Sequence, residues 1–167
     1  DVLYTGFPKS NHETRITTPR LGSDHWIYCS NPGNDGRITS PAHPDMAPVL
    51  VRGADFRFDP ISGKAEAASG PAQFGSTIDD FGERFISQNT THIRHVVVAM
   101  KYLARAPLLE VRAVAQDISD HGRPSGRMYP LTGPQEWRKA RTKIRQERYN
   151  ENKSGITEQV GGWVTAA

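Results

Sequence analysis

Four aspartates are the side chains in this sequence best suited to chemistry, because carboxylate oxygens are the ligands that a hard cation such as calcium prefers. They are Asp24, Asp59, Asp79 and Asp80. Calcium takes about six to eight oxygen ligands, and the spacing of these acids fits no EF-hand loop. Each acid also lies where a hairpin turn favours aspartate. We interpret them as turn residues, keep calcium as the alternative, and assign no metal ligand.

His92, Arg94 and His95 could form a metal or anion site, and the single cysteine is the other side chain with metal or redox chemistry. A strand would place His92 and His95 on opposite faces, which argues against a shared metal ion. The lone Cys29 excludes an internal disulfide, covalent haem attachment and a multi-cysteine zinc site. The sequence also has no phosphate-binding glycine loop, nucleophile elbow or zinc-protease motif.

Positive charge is concentrated in one segment, residues 134–153, with seven Lys or Arg and three Glu. The whole chain has a net charge of +3, so the remainder is close to neutral. Trp137 and Tyr149 could stack on bases while the cations contact phosphates. Interleaved Glu and Gln, and the lack of any nucleic-acid-binding motif, argue against that role. We expect a solvated helix or a docking surface for an acidic partner.

Short strands separated by turns must position these residues. Alternating apolar residues predict strands at 16–21, 26–30, 54–58, 64–68, 84–87 and 93–100. The clearest hairpin has Phe56 and Phe58 on one face and a Pro/Gly turn at 59–63. We expect those two rings, Phe85 and Trp26 to be buried. A helix is predicted to begin at Thr132 or Pro134.

One internal similarity suggests how the strands are organised. The segments 21–31 and 79–89 share a Gly/Asp turn followed by an apolar strand, 58 positions apart. A turn-and-strand unit repeated every 40 to 60 residues or so is typical of β-propeller blades. We therefore predict an all-β fold, a partial β-propeller of about three four-stranded antiparallel blades. The predicted divisions are blades at 1–131, a basic helical insert at 132–153, and a further strand region at 154–167.

Several short motifs in order resemble a known family. They are Gly53-Ala-Asp-Phe-Arg-Phe-Asp-Pro-Ile-Ser-Gly-Lys64, Ser69-Gly-Pro-Ala-Gln-Phe-Gly75, Asp79-Asp-Phe-Gly-Glu-Arg-Phe85 and Ser87-Gln-Asn89. The chain resembles the membrane-bound dehydrogenase domain family of planctomycete-type bacteria, a β-propeller family. That family is in turn similar to sugar dehydrogenases of the glucose/sorbosone type, which use pyrroloquinoline quinone. The resemblance implies export to the periplasm or the extracellular space.

The resemblance also implies a role for His12. In the sugar dehydrogenases a histidine precedes a strand and a Gly-x-Asp-x-x-apolar-Tyr motif. Here His12 precedes Arg15-Ile-Thr17 and then Gly22-Ser-Asp-His-Trp-Ile-Tyr28. By resemblance, His12 would be the general base that takes a proton from a sugar or alcohol hydroxyl. The alternative is a polar loop residue that moves no proton.

The chain departs from the same family at the quinone site. The sugar dehydrogenases carry Arg-Asn-Pro-x-Gly there, and the arginine binds the quinone. This chain has Pro71-Ala-Gln-Phe-Gly75, so Gln73 could replace the arginine only as a neutral donor. Two functions therefore stay open. The chain is a segment of an exported quinoprotein-like sugar or alcohol dehydrogenase, or a non-catalytic β-propeller module for protein or carbohydrate binding and assembly.

The blade count predicts a partner. At 58 residues per blade the chain supplies about three blades, whereas a closed propeller needs about four to eight. Strand-like runs lie at 2–4 and 162–167. We expect the ring to be completed by the rest of the same polypeptide or by neighbouring chains. No apolar run is long enough to cross a bilayer, and no signal peptide is visible.

Overall fold

The computed structural model describes residues 1–9, 12–88, 91–106, 108–118 and part of the stretch 135–147. This part of the chain is mostly β-strand. A single-turn 3-10 helix, His12–Thr14, precedes the first strand, and the helix α1, Met100–Arg105, follows β9. The strands are β1 (Thr17–Leu21), β2 (Ile27–Ser30), β3 (Arg37–Ile38), β4 (Val49–Leu50), β5 (Asp55–Phe58), β6 (Ala65–Ala68), β7 (Gly75–Ile78), β8 (Arg84–Gln88), β9 (Thr91–Val96) and β10 (Ala115–Asp117).

The strands form three antiparallel sheets. The first sheet has the order β1-β2-β5-β6, and the second has the order β7-β8-β9-β10. Among the described strands, β3 and β4 pair with each other and lie, in sequence, between β2 and β5. The all-β prediction is confirmed at this level. Within the described residues there are two four-stranded sheets and no closed ring, so the propeller stays a prediction.

Aspartates close the hairpin turns, as the sequence pattern predicts. The Oδ1 atom of Asp59 accepts the N–H of Ile61 at 2.9 Å. The Oδ1 atom of Asp79 accepts the N–H groups of Phe81 at 3.0 Å and Glu83 at 2.9 Å. Both carboxylates are therefore used by backbone donors of their own turns.

The first sheet has one apolar face, which we call its core face. Its Cys29 and Phe56 are buried with Ile38 of β3 and with Val51. The rings of Tyr4 and Phe7 meet the Phe56 ring edge-on at centroid distances of 5.1 and 5.2 Å. The N-terminal segment and the β3–β4 hairpin thus cover the core face.

The opposite face of the first sheet, which we call its cleft face, packs on the second sheet. Strands β1 and β2 contact β7. The face of the second sheet that meets it, the inner face, carries Ile86 and Ala115, which are buried together with Ala72. The two sheets therefore enclose a second, smaller core. Few large side chains lie in it, and polar groups complete the interface.

Some predicted boundaries and burials need correction. The strand predicted at 93–100 ends at Val96, and Met100 begins α1. Trp26, Phe58 and Phe85 are half-buried, whereas Phe56 is 1% exposed. In β8 the residues on the inner face are Arg84 and Ile86, so alternation places Phe85 on the other side. The strands β3, β4, β7 and β10 were not predicted, because they are short or lack an apolar alternation.

The basic segment is described only in part. The described residues between 136 and 147 are helical, and the N–H of Lys139 donates to the carbonyl of Gln135. Thr132 and Pro134, the two predicted first residues of this helix, lie outside the described residues. The predicted strand region 154–167 also lies outside them. Within the described part of the chain, no helix is long and apolar enough to cross a membrane.

The internal similarity does mark equivalent hairpins, but its spacing is 57 residues and not 58. The N–H of Gly22 donates to the carbonyl of Trp26 at 2.8 Å, and the N–H of Asp79 donates to that of Glu83 at 3.0 Å. These bonds close the β1–β2 and β7–β8 turns, so position 22 matches 79 and position 26 matches 83. A slip of one residue moves a side chain to the other face of a sheet. Tyr28 therefore corresponds to Phe85.

We predict that Phe56→Ala lowers the free energy of unfolding by about 3 to 5 kcal/mol, because it leaves a cavity in the larger core. The matched control is Phe81→Ala, since Phe81 is 92% exposed at the tip of a turn. That change should alter stability by less than about 0.5 kcal/mol. Urea denaturation followed by circular dichroism measures both. Similar small losses in the two variants would contradict the assigned core.

Candidate functional site

A buried carboxylate lies where the two sheets meet. Asp55 of β5 is fully buried, and its Oδ1 atom accepts the N–H groups of Asn31 at 2.7 Å and Ala72 at 2.9 Å. Its Oδ2 atom faces Nη2 of Arg84 at 2.5 Å. Burial raises the pKa of the Asp55 carboxyl, while the Arg84 charge and the two N–H groups oppose that rise. Both carboxyl oxygens are thus directed at donors.

Arg84 of β8 uses its remaining donors on the same interface. Its Nη1 atom donates to the carbonyl of Ser69 at 2.5 Å, and Nε donates to Oγ of Ser76 at 3.0 Å. These partners lie just after β6 and in β7. A single buried guanidinium therefore joins β5, the β6–β7 connection and β7.

A cleft of about 350 Å³ opens beside this ion pair, between the cleft face of the first sheet and the second sheet. The first sheet contributes Tyr28, Arg57 and Glu66 to its wall, and the β1–β2 turn contributes Asp24. The opposite wall includes Phe81 from the β7–β8 turn and a short run from α1. The α1 residues are Met100, Lys101 and Tyr102.

Arg57 organises the wall formed by the first sheet. Its Nη1 atom lies 2.9 Å from Oδ2 of Asp24, and its Nε atom donates to Oε1 of Glu66 at 2.8 Å. The guanidinium stacks over the Trp26 ring, 4.5 Å from its centroid, and lies 5.3 Å from the centroid of the Tyr28 ring. Burial opposes its charge, but the Glu66 and Tyr28 contacts raise the pKa of Arg57 above its usual value. Arg57 is a fixed, paired cation.

The Tyr28 hydroxyl completes this network. It accepts from Nη1 of Arg57 at 2.6 Å and donates to Oδ2 of Asp24 at 2.9 Å. Burial raises the pKa of the Tyr28 phenol, and the Asp24 carboxylate adds to the rise while Arg57 opposes it. The hydroxyl therefore stays protonated at neutral pH. The charges in this wall are paired with each other, so its chemistry is hydrogen bonding and stacking.

The lone thiol takes no part in the cleft. Cys29 is buried on the core face of the first sheet, with Phe56 and Ile38. Burial, and to a lesser degree the Asp55 charge, raises the pKa of this thiol to about 11. Because the thiolate is the nucleophile, a thiol with this pKa is inert at neutral pH.

The two residues that the resemblance singled out lie outside the lining of this cleft. His12 opens the 3-10 helix before β1, and its side chain is exposed. Gln73 lies half-buried between β6 and β7, and its N–H donates to the carbonyl of Ser87 at 3.0 Å. A catalytic role for His12 and a cofactor role for Gln73 stay predictions.

His95 of β9 is paired within the protein. His95 lies 2.6 Å from Oε2 of Glu83 through its Nε2 atom, and its ring stacks on Phe85 at 5.0 Å. In the described part of the chain, no three His, Cys, Asp or Glu side chains lie close enough together to hold a metal ion.

The sequence patterns named Asp24 and Tyr28 but missed the buried Asp55 and the cleft residues Arg57 and Glu66. Asp55 and Arg57 alternate with Phe56 and Phe58 along β5, a pattern that indicates one apolar face and one solvent-facing polar face. The structure covers that polar face with the second sheet. The available signal was the pairing of charges across strands, because Arg57 lies opposite Glu66 in the register.

We predict that Arg84→Ala lowers the free energy of unfolding by about 3 to 5 kcal/mol, because Asp55 would be left as a buried, unpaired carboxylate. Arg20→Ala is the matched control, since Arg20 is exposed on β1 and should change stability by less than about 0.5 kcal/mol. Chemical denaturation gives both values. Equal effects of the two substitutions would rule out a structural role for the ion pair.

A comparison with protein families identifies the family of the chain by a match over nearly its whole length. The model of a family described as a domain of unknown function (DUF7133) matches residues 1–166. No curated protein and no solved structure matches the chain. The description of the family carries no activity, so the resemblance to dehydrogenases is still a prediction.

Proposed function

Because the chain belongs to the DUF7133 domain family, whose description assigns no activity, we propose its function from the geometry of the cleft. The chain is a non-catalytic binding and assembly module of β-propeller type. Its ligand lies in the cleft between the two four-stranded sheets. The observation that carries this proposal is the Arg57 network. In this network the Arg57 guanidinium contacts the carboxylates of Asp24 and Glu66 by ion pairs and hydrogen bonds. It also contacts the Tyr28 hydroxyl by a hydrogen bond and the Trp26 ring by a cation–π contact.

The charge balance of the cleft selects the class of ligand. Asp24, Glu66 and Glu83 offset Arg57, Arg84 and Lys101, so the lining carries no net charge. A neutral ligand with several hydroxyl groups suits a wall of carboxylate and phenol oxygens. Aromatic rings beside such groups are suited to the apolar face of a sugar ring. A carbohydrate is therefore the proposed ligand, and a protein segment is the alternative.

Preorganisation supports binding over catalysis. Arg57 and Tyr28 make their contacts within the protein, so little side-chain entropy is lost when a ligand enters. Two exposed side chains of α1 also line the cleft, Tyr102 at 55% exposure and Lys101, whose ammonium lies 5.3 Å from the centroid of the Tyr102 ring. We expect Tyr102 to supply the stacking surface.

We predict that Tyr102→Ala weakens saccharide affinity about two- to tenfold, since an aromatic stacking contact is lost. The measurement is a nuclear magnetic resonance titration of 15N-labelled protein with a panel of neutral mono- and oligosaccharides. The chemical shifts of the Ser69 and Lys101 amides are expected to change with saccharide concentration until the site is saturated. Ile61→Ala, at the exposed tip of the β5–β6 hairpin, is the control and should bind as the unchanged protein does.

Two outcomes would contradict the carbohydrate proposal. One is a panel that produces no saturable shifts at the cleft. The other is binding that Tyr102→Ala leaves intact. Shifts that appear only with peptides would instead favour the protein-binding alternative.

The second candidate is a segment of an exported sugar or alcohol dehydrogenase, and the exposure of His12 favours it. An exposed imidazole before β1 is accessible to a substrate hydroxyl. The segment 71–73 does not fit an anionic quinone, because it has no cationic side chain and its Ala72 amide already binds Asp55. We therefore derive no catalytic step through that cofactor.

If His12 is a general base, His12→Ala should lower turnover by roughly 10²- to 10⁴-fold while KM changes much less. The assay is dye reduction with aldoses or alcohols after incubation with pyrroloquinoline quinone and calcium. His25→Asn is the control, since His25 lies in an exposed turn with a positive φ that asparagine tolerates. Absence of turnover would remove the enzyme hypothesis, and equal turnover in both variants would remove the general-base role of His12.

A further inference from the structure

The cleft between the two sheets is buried at its floor and exposed at its rim. The floor includes Ala68, Ser69 and Arg84, which are buried. The rim includes Phe81 of the β7–β8 turn and Tyr102 of α1, which are 92% and 55% exposed. A ligand therefore enters from the side of the rim, and an extended ligand reaches the floor with one end.

The turn that carries Phe81 is held by its own hydrogen bonds. The Oδ1 atom of Asp79 accepts the N–H groups of Phe81 at 3.0 Å and Glu83 at 2.9 Å. The N–H of Gly82, which has a φ of 85°, donates to the Asp79 carbonyl at 3.0 Å. A Cβ atom at Gly82 would lie 2.9 Å from Oγ of Ser23, so the turn also abuts the β1–β2 turn. The Phe81 ring is thus presented on an ordered backbone.

The surroundings of the Phe81 ring differ from those of the other aromatic residues that line the cleft. The Tyr28 ring lies 5.3 Å from the Arg57 guanidinium. One face of the Tyr102 ring is occupied by the Lys101 ammonium, 5.3 Å from the ring centroid. Phe81 is 92% exposed, so both faces of its ring are accessible. Packing within the protein therefore does not explain an aromatic side chain at this position on the rim.

The side chains near the floor present acceptors to a ligand, because the arginine donors are already used. Nε of Arg57 donates to Oε1 of Glu66 at 2.8 Å, and Nη1 donates to the Tyr28 hydroxyl at 2.6 Å. The hydrogen bonds of Glu66 with Arg57 use Oε1, which leaves Oε2 to accept a ligand hydroxyl. Arg84 donates to partners within the protein. The terminal unit of a sugar chain suits such a wall, since it has more free hydroxyl groups than an internal unit.

From these features we infer that Phe81 is the stacking surface of a second subsite, and that the ligand of the cleft is an oligosaccharide bound by one end. The terminal sugar unit lies in the cleft beside Tyr102. The next unit places its apolar face on the Phe81 ring, and the remaining units extend into solvent. The inference rests on the proposed carbohydrate ligand, and it adds the length of that ligand and the residue that selects it.

The dependence of affinity on chain length tests this inference. The 15N-labelled protein is titrated with glucose, galactose, mannose and xylose, and with oligomers of two and three units of each sugar. The shifts of the Ser69 and Lys101 amides give the dissociation constants. A disaccharide should bind about two- to tenfold more tightly than its monosaccharide, since one aromatic stacking contact is added. A third unit should add no further affinity, because it lies beyond Phe81.

Substitutions of Phe81 assign the preference for a disaccharide to the aromatic ring. Phe81→Ala should bring the monosaccharide and disaccharide affinities to within about twofold of each other. Phe81→Leu keeps an apolar side chain without a ring and should also remove the preference, whereas Phe81→Tyr keeps the ring and should retain it. Ile61→Ala is the matched control, because Ile61 is also 92% exposed at a turn tip but does not line the cleft.

Two outcomes would overturn this inference and leave the carbohydrate cleft in place. One is equal affinity of the unchanged protein for a monosaccharide and its disaccharide, and the other is a preference that Phe81→Ala retains. The effect of Tyr102→Ala on monosaccharide affinity reports on the cleft itself. Absence of saturable shifts with every sugar of the panel would remove the proposed ligand, and the second subsite with it.

Discussion

The Asp55–Arg84 ion pair is the interaction on which the rest of this structure depends. Both side chains are buried, and the carboxylate also accepts two backbone N–H groups. Burial of an ionised pair is favourable only when its remaining donors and acceptors are satisfied, and here Ser69 and Ser76 satisfy the guanidinium. The geometry is directional, so it fixes the second sheet on the first in a way that the small core around Ile86 could not.

The cleft is a consequence of this docking. Once the second sheet is fixed, its β7–β8 turn and α1 face the polar side of β5. Arg57 is then buried, and its charge is stabilised by two carboxylates and by the Trp26 ring. The same arrangement supports the proposed binding role of the cleft, since its charged groups are occupied with one another before any ligand enters.

The sequence by itself determined the strands with strong alternation, the aspartate turns and the all-β class, because these depend on local periodicity and backbone preference. Short strands such as β7 and β10 were missed, since their pairing comes from neighbours distant in sequence. The site was missed as well. Alternation separates Asp55 and Arg57 from Phe56, but whether that polar face meets water or a second sheet is not a local property. Only the tertiary structure decided it, and it also set the repeat at 57 residues, because one residue of register reverses which side chains face the partner.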